Sequence, residues 1–246
     1  MKAKYPTVNV LGVNFTKITN HALRTQLIAD SQQHLNRFVV TANPEIVLYA
    51  RHDPAYARVI QQADYITADG IGIIKGAQLL HTPLPERVTG FDTLVALLAF
   101  AAQNNKRVFL LGAKSAVLEL TVAHLHAQYP YLKIVGYHDG YFDDAAQVAA
   151  EITASAPDFI FVALGFPKQE FFIAKYRSCA SAIWMGVGGS FDVLAGTVKR
   201  APLFWQKHHI EWLYRLLQEP TRIGRILSLP RYLALVLFSK YNHQKK

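Results

Sequence analysis

The feature that most restricts what this chain can become is an alternation. Seven short β-rich runs, "TVNVLGV", "RFVVTAN", "DYITADG", "RVFLLGA", "LKIVGYH", "DFIFVALG" and "AIWMGVG", lie among longer segments such as "FDTLVALLAFAAQNN" and "SAVLELTVAHLHAQY". Several of the short runs are almost uniformly apolar, the pattern of strands covered on both faces. The longer ones repeat their apolar residues at three and four, as amphipathic helices do. Strand and helix alternating in this order predict an α/β fold, a Rossmann-like and mostly parallel sheet with helices on both faces. At 246 residues and 51% hydrophobic composition, the chain can bury such a core.

The alternation stops at Pro202. The remainder, "LFWQKHHIEWLYRLLQEPTRIGRILSLPRYLALVLFSKYNHQKK", reads as two or three short helices broken at Pro220 and Pro230. This divides the chain into a sheet domain, 1–202, and a C-terminal helical appendage, 203–246. The appendage carries most of the formal charge of +9, with eight Lys/Arg against two acids, Glu211 and Glu219. A basic tail can meet nucleic acid, anionic lipid or a diphosphate-bearing substrate, and charge alone does not choose among them. A nucleic-acid binder should interleave aromatics with Lys/Arg on an exposed groove or sheet face. Here the basic excess sits on an apolar, helix-like tail, which favours a membrane surface over nucleic acid. Its most apolar piece, "YLALVLF", falls far short of the roughly 20 residues needed to span a bilayer, so it could lie in the interface without crossing. The plainer alternative is that these helices pack on the core. Cys179 is the single cysteine and "MKAKYPTVNVLGVNF" has no charged-then-apolar leader, so the expectation is a cytoplasmic protein, peripheral on the inner membrane face.

In an open parallel sheet, ligands sit beyond the carboxyl ends of the strands. The residues in that position are Thr41 to Asn43, Asp69 and Gly70, Gly112 and Ala113, Gly165 to Gln169, and Gly186 to Asp192. Asp69 suits a general base, or it caps the next helix through its side chain. Arg87, in "PERVTGFD", could grip phosphate with its planar fork or pair with Asp92. Gln169, in "GFPKQE", could hydrogen-bond a hydroxyl-rich ligand or lie on a helix surface. "GVGGSF" puts Phe191 where a dinucleotide fingerprint needs a third small residue, and "LLGAKSA" lacks the first glycine of a P-loop. What remains at Gly186 to Gly189 is a tight turn or a cradle for a diphosphate. No Asp-x-Asp, His-Glu-x-x-His, cysteine cluster or Gly-x-Ser-x-Gly occurs, so the expectation is an enzyme needing no metal and no cofactor.

In order, "TANPEIV", "TADGIGI", "RVTGFD", "LLGA", "GYFD", "ALGFPKQE", "GVGGSFDVLAGTVKRAP" and "EWLYRLLQEPTR" resemble the blocks of the WecG/TagA/CpsF glycosyltransferases, from about Val8 to Arg225. The resemblance implies transfer of a sugar from a UDP-sugar donor to a polyprenyl-diphosphate-linked sugar acceptor. In the teichoic acid branch, N-acetylmannosamine goes to the 4-hydroxyl of N-acetylglucosaminyl-diphospho-undecaprenol; N-acetylmannosaminuronic acid or a hexose is the alternative donor sugar. It further implies Asp69 as the base and Thr41, Asn43, Arg87, Gln169, Gly186, Gly188, Gly189 and Asp192 as substrate-binding residues. Arg215, Arg222 and Arg225 would approach the lipid diphosphate and an anionic membrane surface. "HHIEWLYRL" departs from the family at the Gly-Leu pair expected before Glu-Trp. An apolar tail exposed away from the membrane can also promote homo-oligomers.

Overall fold

A computed structural model of the chain describes residues 5–208, 210–218 and 228–244. Its elements are β1 (Thr7–Val10), β2 (Val13–Thr16), α1 (Asn20–Gln32), β3 (Arg37–Ala42), α2 (Pro44–His52), α3 (Pro54–Ile60), β4 (Tyr65–Ala68) and α4 (Ile71–Leu79). There follow α5 (Gly90–Gln103), β5 (Arg107–Gly112), α6 (Ser115–Gln128), β6 (Lys133–His138), α7 (Ala145–Ser155), β7 (Phe159–Ala163), α8 (Lys168–Tyr176), β8 (Ile183–Gly186) and α9 (Ser190–Leu194). The tail supplies α10 (Leu203–Lys207), α11 (Glu211–Gln218) and α12 (Ser228–Gln244).

Six strands form one sheet in the order β4-β3-β8-β7-β5-β6, and every neighbouring pair is parallel. The expected α/β sheet is therefore present. Its uniformly apolar strands follow from burial on both sides. Phe38, Val40 and Ala42 of β3 face one core while Val39 faces the other, and Ile160 and Val162 of β7 oppose Phe159 and Phe161 in the same way. The first core is closed by α2, α3, α4, α7, α8 and α12, the second by α1, α5, α6 and α9. Each fully buried large apolar side chain contributes about 1.5–3 kcal/mol.

One short run does not join this sheet. In "TVNVLGV", Leu11 and Gly12 take φ of 52° and 94°, and the chain reverses so that β1 pairs antiparallel with β2. Two consecutive positive φ values match the twist of a tight hairpin. Val8, Val10, Val13 and Phe15 of the hairpin are buried in the first core.

The tail helices are not all peripheral. Tyr232 and Val236 of α12 are fully buried in the first core, where α12 meets α2 and α4. Gly76 of α4 makes room, because a Cβ there would come within 2.2 Å of the Tyr232 hydroxyl. Leu237, Phe238 and Tyr241 of the same helix are exposed. Packing on the core thus describes one side of α12, and an apolar surface describes another. Among the described residues, no helix is long and apolar enough to cross a membrane.

The strand order also places the site. β3 leads to β4 at one edge and β5 leads to β6 at the other, while β8 and β7 fill the middle. In an open parallel sheet of this order, the carboxyl ends of β3, β8 and β7 are where ligand is expected.

Candidate active site

Asp69 stands directly after β4. Its backbone N–H donates to the Ala42 carbonyl at 2.9 Å, which carries the β3–β4 ladder one step past the strands. Gly70, not Asp69, occupies the cap position of α4. Instead Asp69 Oδ2 accepts the Gly90 N–H at 3.1 Å, at the first residue of α5, where the positive end of the helix dipole faces the carboxylate. Gly90 is a glycine because Thr41 lies against it. A Cβ at Gly90 would meet Thr41 Oγ1 at 2.8 Å, and Thr41 Oγ1 itself reaches the Gly186 carbonyl at 3.5 Å. Thr41, Asp69, Gly90 and the end of β8 therefore share one corner. Asn43 adjoins it with its Oδ1 already engaged, accepting from Ile46 N–H at 2.9 Å as the N-cap of α2.

Arg87 reaches the same corner from the loop before α5. Its Nη2 lies 3.9 Å from Asp69 Oδ1 and donates a short hydrogen bond to Glu211 Oε2 of α11. Its Nε is buried with no hydrogen-bond partner. The loop is held in place by Asn20, whose side-chain amide donates to the Arg87 carbonyl at 2.8 Å. Pairing of Arg87 with Asp92, the local alternative, is not what forms. Asp92 takes Arg200, whose guanidinium also lies 4.7 Å from the Phe91 ring centre. Two acid–base pairs thus link the start of α5 and its preceding loop to Arg200 and to Glu211 of α11.

Burial alone would raise the Asp92 carboxyl, but the Thr89 hydroxyl and the Arg200 guanidinium hold it below its ordinary value, with Arg87 adding to the effect. A lowered native pKa stabilises the fold above the unfolded-state value of about 4 and stops doing so as pH falls through the native value. Asp92→Asn should therefore remove part of the acid dependence of stability below about pH 4. Denaturant unfolding of both proteins across that range reads this directly, and parallel curves would exclude a stabilising role for ionised Asp92.

The glycine turn after β8 is held more closely than its composition suggests. Val187 N–H donates to the Val162 carbonyl at 2.8 Å, Ser190 N–H to the Val187 carbonyl at 3.2 Å, and Gly188 N–H to Gln169 Oε1 at 3.1 Å. The amides of these three residues already have protein acceptors, so the turn is not an open row of N–H groups. Gly188 sits at φ 51°, in the left-handed region that favours glycine. Gly186 is required by contact, since a Cβ there would meet Gln169 Nε2 at 2.8 Å. Gly189 and Asp192 lie at the start of α9, where the Asp192 carbonyl accepts from Val198 N–H and the Thr197 hydroxyl. Gln169 is only 5% exposed, beneath the turn and not on a helix surface.

Arg215 lies on α11, but its side chain is outside the described residues, as are Arg222 and Arg225 entirely. Among the described residues, no group of three or more His, Cys, Asp or Glu side chains could hold a metal ion. Three residues beside the candidate site escape sequence reasoning. Glu211 on Arg87 and Arg200 on Asp92 bridge 124 and 108 positions, so no local pattern shows them. Glu170 is overshadowed by Gln169, and its only sequence signal is an acid in the first turn of a helix.

A carboxylate, an arginine and a restrained glycine turn, gathered past the carboxyl ends of a parallel sheet, define a Rossmann-like α/β protein with its binding crevice at the strand ends. Comparison makes this specific. The chain belongs to the Glycosyl transferase WecG/TagA/CpsF family, whose profile matches residues 8–246. It is 46% identical over 223 residues to the N-acetylglucosaminyldiphosphoundecaprenol N-acetyl-beta-D-mannosaminyltransferase of Bacillus spizizenii, covering 90% of this chain and 85% of that one. It is 42% identical over 211 residues to the enzyme of the same name from Bacillus subtilis, with 85% and 82% covered. To that of Staphylococcus aureus it is 40% identical over 242 residues, covering 97% and 95%.

Proposed function

We propose that the chain is a metal-independent, inverting glycosyltransferase that moves N-acetylmannosamine from UDP-N-acetylmannosamine to the 4-hydroxyl of N-acetylglucosaminyl-diphospho-undecaprenol. The observation that carries the reading is the Asp69–Arg87 corner in a chain 46% identical to a relative bearing that activity in its name. Asp69 takes the proton of the acceptor hydroxyl as the oxygen bonds to the donor's anomeric carbon. The bond from that carbon to the UDP oxygen breaks, and its electron pair leaves on the diphosphate. Arg87 supplies charge for the departing group, as preorganised cations do where a metal does not. Thr41, Asn43, Gly186, Gly188, Gly189 and Asp192 surround the substrates, while Gln169 supports the turn from beneath. Arg215, Arg222 and Arg225 serve the lipid diphosphate.

Residues 1–202 carry the catalytic sheet and 203–246 the membrane-facing appendage in this reading. Support comes from exposed Leu203, Phe204, Leu217 and Phe238, and from an open groove between α2 and α12 where Arg51, His52 and Arg231 flank Leu235. Cations beside apolar side chains suit the anionic inner face of a membrane, where the protein would sit peripherally. The same exposed surface favours self-association away from lipid. A panel of UDP-sugars offered with a short-chain analogue of the lipid-linked acceptor tests the assignment. UDP-N-acetylmannosamine should give the fastest disaccharide formation; preference for a uronic acid or hexose donor would replace the proposed substrate.

A further inference from the structure

We propose that Glu170 is a positioning residue for transfer: its buried carboxylate fixes the Gln169 side-chain amide, which holds Gly188 N–H and sets the turn after β8. The proposal rests on the glycosyl-transfer reading above. It starts from two adjacent side chains at the beginning of α8 that are 5% and 1% exposed, Gln169 and Glu170. Gln169 Nε2 donates to Glu170 Oε1 at 2.7 Å. An ionised carboxylate only accepts, so the NH2 end of the amide must face it and the carbonyl end must point away. At that other end Gln169 Oε1 meets the Gly188 N–H at 3.1 Å. The 2.8 Å limit at Gly186 leaves room for this amide and for no side chain at that position. Across the turn, the Ser190 hydroxyl donates to the Val187 carbonyl at 2.6 Å. The loop is thus gripped from both sides, and on one of them Glu170, an acceptor, and the Gly188 N–H, a donor, hold opposite ends of the Gln169 amide.

Stability alone does not favour a glutamate here. Among the described residues, no Lys, Arg or His forms a salt bridge with Glu170. Burial pushes its carboxyl above the ordinary range, opposed by the Gln169 amide, the backbone N–H of Glu170 and the Tyr56 hydroxyl. Tyr56 acts electrostatically without reaching hydrogen-bond geometry, and Glu170 Oε2 and the Tyr56 hydroxyl are both buried without a hydrogen-bond partner. A buried carboxylate without a cation is destabilising at neutral pH, and a neutral side chain of the same shape removes that cost. Glutamine would, however, present either an oxygen or an NH2 to Gln169, so that only the Gly188 N–H would still favour one orientation of the amide.

Glu170→Gln should therefore separate stability from activity. The expected result is a thermal midpoint equal to or above that of the parent, with kcat/KM for transfer reduced roughly tenfold, about the effect of losing one charge-assisted hydrogen bond. The KM for the UDP-sugar should account for most of the change. In labelled protein the Gly188 amide resonance should move and exchange faster with solvent, a readout that needs neither the right donor nor the right acceptor. If the parent enzyme makes no disaccharide, the functional reading fails while the Gly188 resonance still reports on Glu170. Unchanged transfer, an unmoved Gly188 resonance, or a parallel loss of stability and activity would each overturn the positioning role.

Discussion

Asp69→Asn is expected to leave the chain folded and UDP bound while lowering the transfer rate by about 10²–10⁴-fold, the usual contribution of a positioned general base. The asparagine side chain has the same shape, and its carbonyl oxygen can accept the Gly90 N–H that anchors Oδ2 in the parent. What it cannot do is take the acceptor's proton at neutral pH. UDP affinity, the thermal midpoint and kcat measured on the same preparation separate these effects. A variant with near-normal kcat would remove Asp69 as the base; one that has lost UDP affinity and stability together would assign it a structural role.

Ending the chain at Leu227 is expected to lower the thermal midpoint by roughly 6–24 °C. The deletion removes α12, whose Tyr232 and Val236 are fully buried against α2 and α4. Two buried side chains of this size are worth about 3–6 kcal/mol together, and each kcal/mol moves the midpoint of a chain this long by about 2–4 °C. It also uncovers the surface of α4 around Gly76, Ile73 and Ala77. Differential scanning calorimetry of the full and shortened chains gives the answer. An unchanged midpoint would mean that α12 rests on the sheet domain without stabilising it.

The sheet was legible because six of the seven apolar runs are its strands, and most of these are buried on both faces, where burial and pattern agree; β6, at the edge, is half-buried to exposed. "TVNVLGV" misled because its turn is made at Leu11 and Gly12, and leucine carries no local signal for a positive φ. The strand ends pointed to Asp69 and the glycine turn, since a parallel sheet presents its carboxyl ends to ligand, while Arg87 was read from its own loop. Whether Asp69 caps a helix was undecidable from spacing, because it depends on Gly70 occupying the cap position and on Gly90, 21 residues away, donating to the carboxylate. Long-range partners such as Glu211 for Arg87 and Tyr232 for Gly76 arise only when separate segments meet. Composition likewise overstated the phosphate cradle: glycines permit close approach, but Gln169 from α8 already takes the Gly188 amide.

The most direct measurement is the linkage and anomeric configuration of the product made from UDP-N-acetylmannosamine and a short-chain diphosphate-linked N-acetylglucosamine, in parallel reactions with and without a chelator. One displacement assisted by Asp69 and Arg87 predicts a β-1,4-linked disaccharide, formed at the same rate with and without the chelator. An α-linked product, or transfer that stops when divalent cations are removed, would contradict it.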